Sequence, residues 1–196
     1  MLVVNPSFSP RSVKDLVAAA KAKPGIINYG ASSNGTALPM EMFKQVAGVN
    51  LNHIPYKGTG PALIAIIGGE VQVMFGGAIA TVPQVKSGKL RALAVAGDRR
   101  ARALPDVPTV AEAGYPGFEA NSWNGIVAPA GTPRAIVDKL NAAMITVLQL
   151  PEVRDTMTAD GAEPAYNSPD QFGVYIRACH EKWGKVIRSA GLKDST

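Results

Sequence analysis

The sequence is poor in the residues that most catalytic and metal-binding sites use. It has one cysteine, Cys179, and two histidines, His53 and His180, among its 196 residues. A single cysteine allows no internal disulfide, and these three widely spaced residues do not form a recognisable set of metal ligands. The segment 58–60 (Gly-Thr-Gly) continues neither into a dinucleotide fingerprint nor to a P-loop lysine. We therefore expect no metal ion and no cofactor.

Long apolar runs and clusters of like charge are also missing. No apolar stretch approaches the roughly 20 residues that span a bilayer. Twenty Lys and Arg against fifteen Asp and Glu give a net charge of +5, but the basic residues are scattered. This balance mildly favours anionic ligands and does not indicate a nucleic-acid partner. The apolar residues 1–4 run directly into Asn5 and Pro6, which is too short for a signal-peptide core, so we expect no signal peptide in this chain.

Alternating strand and helix patterns fill most of the chain and predict an α/β fold with a largely parallel sheet. Ser12 with Asp15 predicts a capping box for the first helix. Thr36 is predicted to cap the second helix, because Pro39 is tolerated only near a helix start. Strands are expected at 2–4, 26–30, 51–56, 71–75 and 92–96, and the turn-rich residues 97–125 predict an irregular connection with one short helix.

The last third of the chain has a different character. Helices are expected after Thr132 and Pro133, from Pro151, and from a capping box that begins at Ser168. These helices have no strands of their own to cover, which predicts that a sheet belonging with them is missing. The last helix carries an apolar face that would otherwise lie open, so we also expect a dimer, a swapped arrangement or rearranged helices. That face consists of Phe172, Tyr175, Ile176, Cys179, Trp183, Val186 and Ile187.

Three junctions between a strand and the following helix share one design, at 31–36, 57–61 and 76–80. Each places small residues where a parallel strand ends. The first N–H groups of such a helix have no internal partner and lie at the positive end of its dipole, which suits an anion. Ligands of open α/β sheets bind at this edge. The candidate ligand-binding residues at these junctions are Ser32, Ser33, Asn34, Gly35, Thr36, Gly58, Thr59, Gly60, Gly76 and Gly77.

The same positions also fit a purely structural role as caps and turns. A serine nucleophile at Ser32 would need a positioned base, but His53 lies within a predicted strand and His180 is predicted to be solvated. The sequence has no Gly-x-Ser-x-Gly elbow. An acyl-transfer enzyme is therefore disfavoured, and we expect no catalytic residues. Trp123, on the irregular connection, is predicted either to line a ligand cleft or to pack at a domain junction.

Six segments, in the right order along nearly the whole chain, resemble the Bug-type receptors, which are the substrate-binding proteins of tripartite tricarboxylate transporters. The segments are NYGASS (28–33), HIPYKG (53–58), GGEVQVMF (68–75), GKLRALAV (88–95), LPDVPTV (104–110) and APAGTP (128–133). The resemblance implies a two-domain, type II periplasmic-binding-protein fold that closes on a carboxylate without cofactor or metal. It implies that residues 1–125 form the second, ligand-binding domain and that residues 126–196 pack on the first domain. Residues matching the wall of the cleft are Ser32, Ser33, Thr36, Gly58, Thr59 and Gly76.

Two features depart from the family pattern. Members often carry an acidic or amide residue after the strand that corresponds to 71–75, whereas this chain has Gly76 and Gly77. A complete member also begins with a secretion signal and a first-domain segment, which nothing here matches. We therefore expect an N-terminally truncated receptor whose full-length parent is periplasmic and passes a small carboxylate to membrane transporter subunits. The alternative is a vestigial or regulatory ligand-sensing module without a transport role. A homodimer through exposed C-terminal helices is a further expectation.

Overall fold

The structure of the chain, a computed structural model, describes residues 1–32 and 34–191. The chain divides into two units, Met1–Ser122 and Trp123–Thr196. This division falls close to the boundary at 125 that the sequence predicts. The roles assigned to the two parts, ligand binding and packing on a further domain, stay predictions.

The first unit alternates strands and helices. Its strands are β1 (Leu2–Val4), β2 (Asn28–Ala31), β3 (Asn52–Pro55), β4 (Val73–Phe75) and β5 (Arg91–Ala94). Its helices are α1 (Val13–Ala22), α2 (Asn34–Ala47), α3 (Thr59–Gly68) and α4 (Ala78–Lys86). The predicted strands are confirmed, with ends that shift by up to two residues. The capping box predicted for α1 is confirmed in its first half, because Ser12 Oγ accepts the N–H of Asp15 at 3.1 Å, whereas the Asp15 carboxylate accepts the N–H of Arg11 at 3.1 Å.

The five strands form one sheet in the order β3-β2-β4-β1-β5. Strand β2 pairs in parallel with β3 and β4, whereas β1 runs antiparallel to β4 and β5. The sheet is therefore mixed, and the expectation of parallel pairing fails at β1. All three side chains of β1 are fully buried. Because both of its faces are covered, its sequence shows no alternation and carries no sign of its direction.

Apolar groups pack on both faces of the sheet. Met74 packs with Ala65 and Ile66 of α3 on one face. Phe75, the next residue of β4, points to the opposite face. There it contacts Phe43 of α2, with ring centroids 6.2 Å apart, and stacks on Phe118 at 6.0 Å. The contact with Phe118 fixes the connection after β5 against the sheet.

The connection from 97 to 122 contains turns and no helix among its described residues, so the predicted short helix is wrong. In one of these turns the N–H of Ala113 donates to the carbonyl of Thr109, four residues earlier, at 3.0 Å. Gly114 follows with a positive φ of 109°, which ends this turn. Pro105, Pro108 and Pro116 lack the N–H that a longer helix would need.

The second unit contains α5 (Arg134–Gln149), α6 (Pro151–Ala159) and α7 (Pro169–Ser189). The predicted capping box of α7 is confirmed, because Ser168 and Gln171 each accept the other's backbone N–H. Arg134 at the start of α5 donates to both carboxylate oxygens of Asp170 at the start of α7, at 3.0 and 2.9 Å. None of the residues described in these three helices is fully buried, and Cys179 is half-buried.

Among the helices that the structure describes, none is both long enough and apolar enough to cross a membrane.

Candidate functional site

The carboxyl ends of β2, β3 and β4 lie side by side at one edge of the sheet. The register pairs Ala31 with Pro55 and Tyr29 with Val73, so the three strands end at nearly the same level. Neighbouring strands are about 4.8 Å apart. The three junctions that the sequence singles out therefore share one edge of the first unit.

Three hydroxyl side chains meet at this edge, and we call Ser32, Thr36 and Thr59 the hydroxyl cluster. Ser32 Oγ lies 3.3 Å from Thr59 Oγ1 and 3.4 Å from Thr36 Oγ1. The backbone N–H of Ser32 donates to Thr36 Oγ1 at 2.9 Å. Ser32 and Thr36 are half-buried and Thr59 is exposed. Because hydroxyl protons rotate, such a cluster can turn O–H donors toward an anion.

The starts of α2 and α3 position this cluster. Helix α2 begins at Asn34, so Thr36 lies within its first turn and the prediction that Thr36 is the N-cap is wrong. Its hydroxyl instead accepts the Ser32 N–H that precedes the helix. Helix α3 begins at Thr59 after Gly58, whose φ of 149° is a conformation that other residues rarely adopt. Glycine at this position lets the chain turn sharply from β3 into α3.

The remaining predicted glycines are distributed around the same edge. Gly60 is the second residue of α3, and a side chain added there would meet no atom within 4 Å. Gly76 is buried directly after β4, and its N–H donates to the carbonyl of Met1 at 2.9 Å. Gly77 is the N-cap of α4, without a side chain to cap it. The N–H groups of the first turns of α3 and α4 therefore start at this edge.

The other candidate residues fall into separate groups. Asn34 and Gly35 form the first two residues of α2. Ser33 lies outside the described residues. Trp123 belongs to the second unit, where its ring packs edge-on against Phe172 at 5.4 Å and Tyr175 at 5.7 Å. Its role in a ligand cleft stays a prediction.

Among the residues that the structure describes, Ser32 has no hydrogen bond to a base that could activate it as a nucleophile. Within the described residues, the side-chain hydrogen bonds of Ser32 run to the hydroxyls of Thr36 and Thr59 and none to an imidazole. His53 stacks on Tyr29, with ring centroids 4.8 Å apart and planes inclined by 9°. Burial lowers the pKa of His53. Residues 1–32 and 34–191 contain no group of three His, Cys, Asp or Glu side chains that could hold a metal ion.

A pocket of about 350 Å³ lies elsewhere on the first unit, between α2 and the turn at 114–118. Its lining is mainly apolar and consists of Met42, Val46, Gly114, Tyr115, Pro116, Gly117 and Phe118. This lining carries no charged side chain and its hydroxyl comes from Tyr115. It is therefore a poorer match for a carboxylate than the hydroxyl cluster.

A polar network that the sequence does not reveal links β2 to α2. The Tyr29 hydroxyl donates to Glu41 Oε1 at 2.5 Å, and Lys44 Nζ lies 2.7 Å from the same oxygen. Burial and the neighbouring Glu41 carboxylate raise the pKa of Tyr29. The sequence signal for the Glu41–Lys44 pair is the spacing of three residues between opposite charges on a helix. Their contact with Tyr29 depends on how α2 packs on β2, which that spacing does not reveal.

The family described as "Tripartite tricarboxylate transporter family receptor" matches residues 1–192. Protein BugT of Bordetella pertussis is 37% identical over 195 residues, which cover 98% of this chain and 60% of BugT. A protein from a tcbD-tcbE intergenic region of Pseudomonas sp. is 33% identical over 95% of this chain and 56% of its own length. The chain thus spans about 60% of the length of these relatives.

Solved structures show the same fold. The R. palustris protein Rpa4515 with adipate has a TM-score of 0.91 and 35% identity over 97% of this chain and 64% of its own. The periplasmic binding protein BugD has a TM-score of 0.86 and 33% identity over 98% of this chain and 66% of its own. MatC from Rhodopseudomonas palustris with bound malate has a TM-score of 0.85 and 31% identity over 95% of this chain and 65% of its own.

The mixed α/β fold is that of periplasmic solute-binding proteins. Within that class, the chain belongs to the tripartite tricarboxylate transporter receptor family, whose members include the Bug proteins. The family to which the sequence motifs pointed is therefore confirmed.

Proposed function

We propose that this chain forms part of a periplasmic receptor that captures a small carboxylate and passes it to a tripartite tricarboxylate transporter. Family membership supports the receptor role. The relatives Rpa4515 and MatC carry adipate and malate, which are both small carboxylates. The observation on which the proposal rests in this chain is the hydroxyl cluster of Ser32, Thr36 and Thr59 at the starts of two helices.

In this proposal the ligand carboxylate lies against the edge formed by the ends of β2, β3 and β4. The hydroxyls of Ser32 and Thr59 donate to it, and the first N–H groups of α3 add partial positive charge. Thr36 accepts the N–H of Ser32 and so aligns the Ser32 hydroxyl. The wider set of contacts comprises Ser33, Asn34, Gly35, Gly58, Gly60, Gly76 and Gly77. The site requires no metal or cofactor and performs no reaction.

The free energies available at this edge predict modest affinity for the 196-residue chain on its own. A helix terminus favours an anion by about 0.3–1 kcal/mol, and a hydrogen bond to a charged group contributes about 1.5–3 kcal/mol. Micromolar binding requires about 8 kcal/mol after the costs of association. We therefore expect roughly millimolar dissociation constants. Residues 126–196 are proposed to pack on a further domain that closes the site in a complete receptor.

Replacing Thr59 tests the cluster directly. Thr59→Val removes the hydroxyl and keeps the shape, so we expect binding of adipate or malate to weaken by about tenfold. Thr59→Ser keeps the hydroxyl and should retain most of the affinity. Titration of ¹⁵N-labelled protein with each acid, followed by amide chemical shifts, measures millimolar binding.

Thr146→Val provides a matched control, because the Thr146 hydroxyl is exposed on α5 and donates to the carbonyl of Ala142. This variant should bind as the parent chain does. Equal affinity of Thr59→Val and the parent would refute the role of the cluster. If tens of millimolar of either acid produced no shift in the parent chain, the receptor proposal would fail and the alternative of a ligand-free interaction module would gain support.

A further inference from the structure

A network of Tyr29, Glu41 and Lys44 ties α2 to β2. Tyr29 lies on β2 shortly before Ser32 and is 1% exposed. Its hydroxyl donates to Glu41 of α2 at 2.5 Å, and Lys44 pairs with the same carboxylate oxygen at 2.7 Å. The Glu41 and Lys44 side chains are only 12% and 20% exposed. Hydrogen bonds in such a poorly hydrated place are stronger than they are in water.

Two further side chains contact the aromatic ring of Tyr29. The His53 ring stacks on it at 4.8 Å between centroids, and Lys44 Nζ lies 5.6 Å from its centroid. The Tyr29 hydroxyl therefore points to Glu41 from a ring with little freedom to move. This arrangement makes the hydrogen bond a directional link between the strand and the helix.

The first turns of α2 depend on outside contacts, because the helix contains Pro39. Proline has no N–H, so the carbonyl of Gly35 receives no hydrogen bond from position 39. Before this break, the Ser32–Thr36 bond of 2.9 Å ties the helix to the end of β2. Just after it, Glu41 ties the helix to the middle of β2 through Tyr29. The two links flank the weak point of the helix.

We infer that Glu41 is a positioning residue of the proposed binding site. Through Tyr29 it holds α2 at a fixed place on β2, and this keeps the Thr36 hydroxyl within reach of Ser32. Glu41 acts on the ligand only through this alignment. The inference deepens the proposed function and rests on it for the ligand, whereas its effect on the Ser32–Thr36 bond is measurable without any ligand.

The test compares four variants of the full chain. Glu41→Leu removes the acceptor of the Tyr29 hydroxyl, and Glu41→Gln keeps an acceptor oxygen at the same place. Tyr29→Phe removes the hydroxyl alone and leaves the Glu41–Lys44 pair intact. Glu112→Leu is the control, because Glu112 accepts the Thr109 N–H at 2.8 Å on the connection after β5 and is not part of α2.

The first measurement is hydrogen exchange of the Ser32 amide without ligand. If Glu41 positions Thr36, Glu41→Leu and Tyr29→Phe should each speed exchange of this amide by about tenfold. In the Glu41→Gln variant, which keeps an acceptor oxygen, exchange should stay as slow as in the parent chain. Glu112→Leu, which removes a hydrogen bond outside α2, should leave exchange of the Ser32 amide unchanged. Unchanged Ser32 exchange in Tyr29→Phe would overturn the inference, even if Glu41→Leu failed to fold.

The second measurement is the titration with adipate and malate. Tyr29→Phe should weaken binding by about tenfold relative to the parent chain, while Glu112→Leu leaves it unchanged. If the parent chain binds and Tyr29→Phe binds with the same affinity, the positioning role is refuted. The proposed function would be unaffected by that result. If the parent chain does not bind either acid, the proposed function is refuted. Fast exchange of the Ser32 amide in Tyr29→Phe would then still support the role of Glu41 and Tyr29 in aligning Thr36 with Ser32.

Discussion

Gly76 and Gly77 are adjacent at the residue scale but differ in the space around them. A side chain on Gly76 would place its Cβ 2.5 Å from Cγ2 of Thr81, which is itself fully buried. A Cβ on Gly77 would meet no atom within 4 Å, and the φ of −61° and ψ of 145° at this residue suit any amino acid. Close packing therefore requires glycine at position 76 and not at position 77.

We expect Gly76→Ala to lower the free energy of unfolding by about 1–3 kcal/mol, because the new methyl group overpacks against Thr81. Gly77→Ala should change this free energy by about 0.5 kcal/mol or less. Urea unfolding of both variants, followed by circular dichroism and by the exchange of backbone amides in the first unit, measures the difference, because both tryptophans of the chain lie in the second unit. Equal stability of the two variants would show that Thr81 moves away without penalty.

The sequence predicted the residues of the hydroxyl cluster and not their contacts. The rule that parallel strands end at one edge was enough to select Ser32, Thr36 and Thr59. The start of α2 at Asn34 and the bond from Ser32 N–H to Thr36 could not be derived, because several residues of the junction are equally good caps. Their use as ligand contacts stays a prediction.

At the scale of elements, a salt bridge joins the starts of α5 and α7 in the second unit. Arg134 donates to Asp170 and also to Asp138, one turn further along α5, at 2.8 Å. The Arg134 guanidinium lowers the pKa of Asp170 from its ordinary value of 3.8. The charged form of Asp170 therefore favours the folded state at pH values above 3.8, and this contribution is lost as the pH falls through the lowered pKa.

We expect Asp170→Asn to destabilise the second unit at pH 5 and above, and to unfold like the parent chain once the pH lies well below 3.8. Trp123 contacts Phe172 and Tyr175 in the first turns of α7, so its fluorescence follows this region. Asp155→Asn on α6 is the control. A constant difference between Asp170→Asn and the parent across the whole acid range would contradict the assigned role.

Most elements were predictable because their signals are local. The capping boxes, the apolar stripes and the turn residues place the four helices of the first unit and the three of the second. The direction of β1 and the absence of a helix among the described residues of the connection after β5 were not predictable. The first depends on partners far along the chain, and the second on how Phe118 packs against Phe43 and Phe75.

At the scale of the whole molecule, the two units differ in how well they bury apolar side chains. The first unit buries large apolar side chains on both faces of its sheet, among them Leu16, Phe43 and Met74, each fully buried. The second unit leaves large apolar side chains exposed, including Ile126 at 69%, Val127 at 77% and Leu140 at 52%. Exposed apolar surface of this kind favours contact with another surface.

We therefore expect the chain to self-associate through its second unit as concentration rises. Light scattering should give a mass above that of a single chain, and Leu140→Glu should lower it. Ile26→Glu is the control, because Ile26 is equally open at 67% exposed but lies in the first unit. A constant monomer mass over the whole concentration range, or equal effects of the two substitutions, would argue against this surface.

The position of β1 in the sheet has a consequence for synthesis on the ribosome. Residues 2–4 lie between β4 and β5, whose last residue is Ala94, so the centre of the sheet cannot close until about ninety further residues have been translated. At roughly 5–20 residues per second, these apolar residues wait about 5–18 s for their partners. During that interval they are a natural substrate for chaperones that hold nascent chains, and slower translation would prolong the exposure.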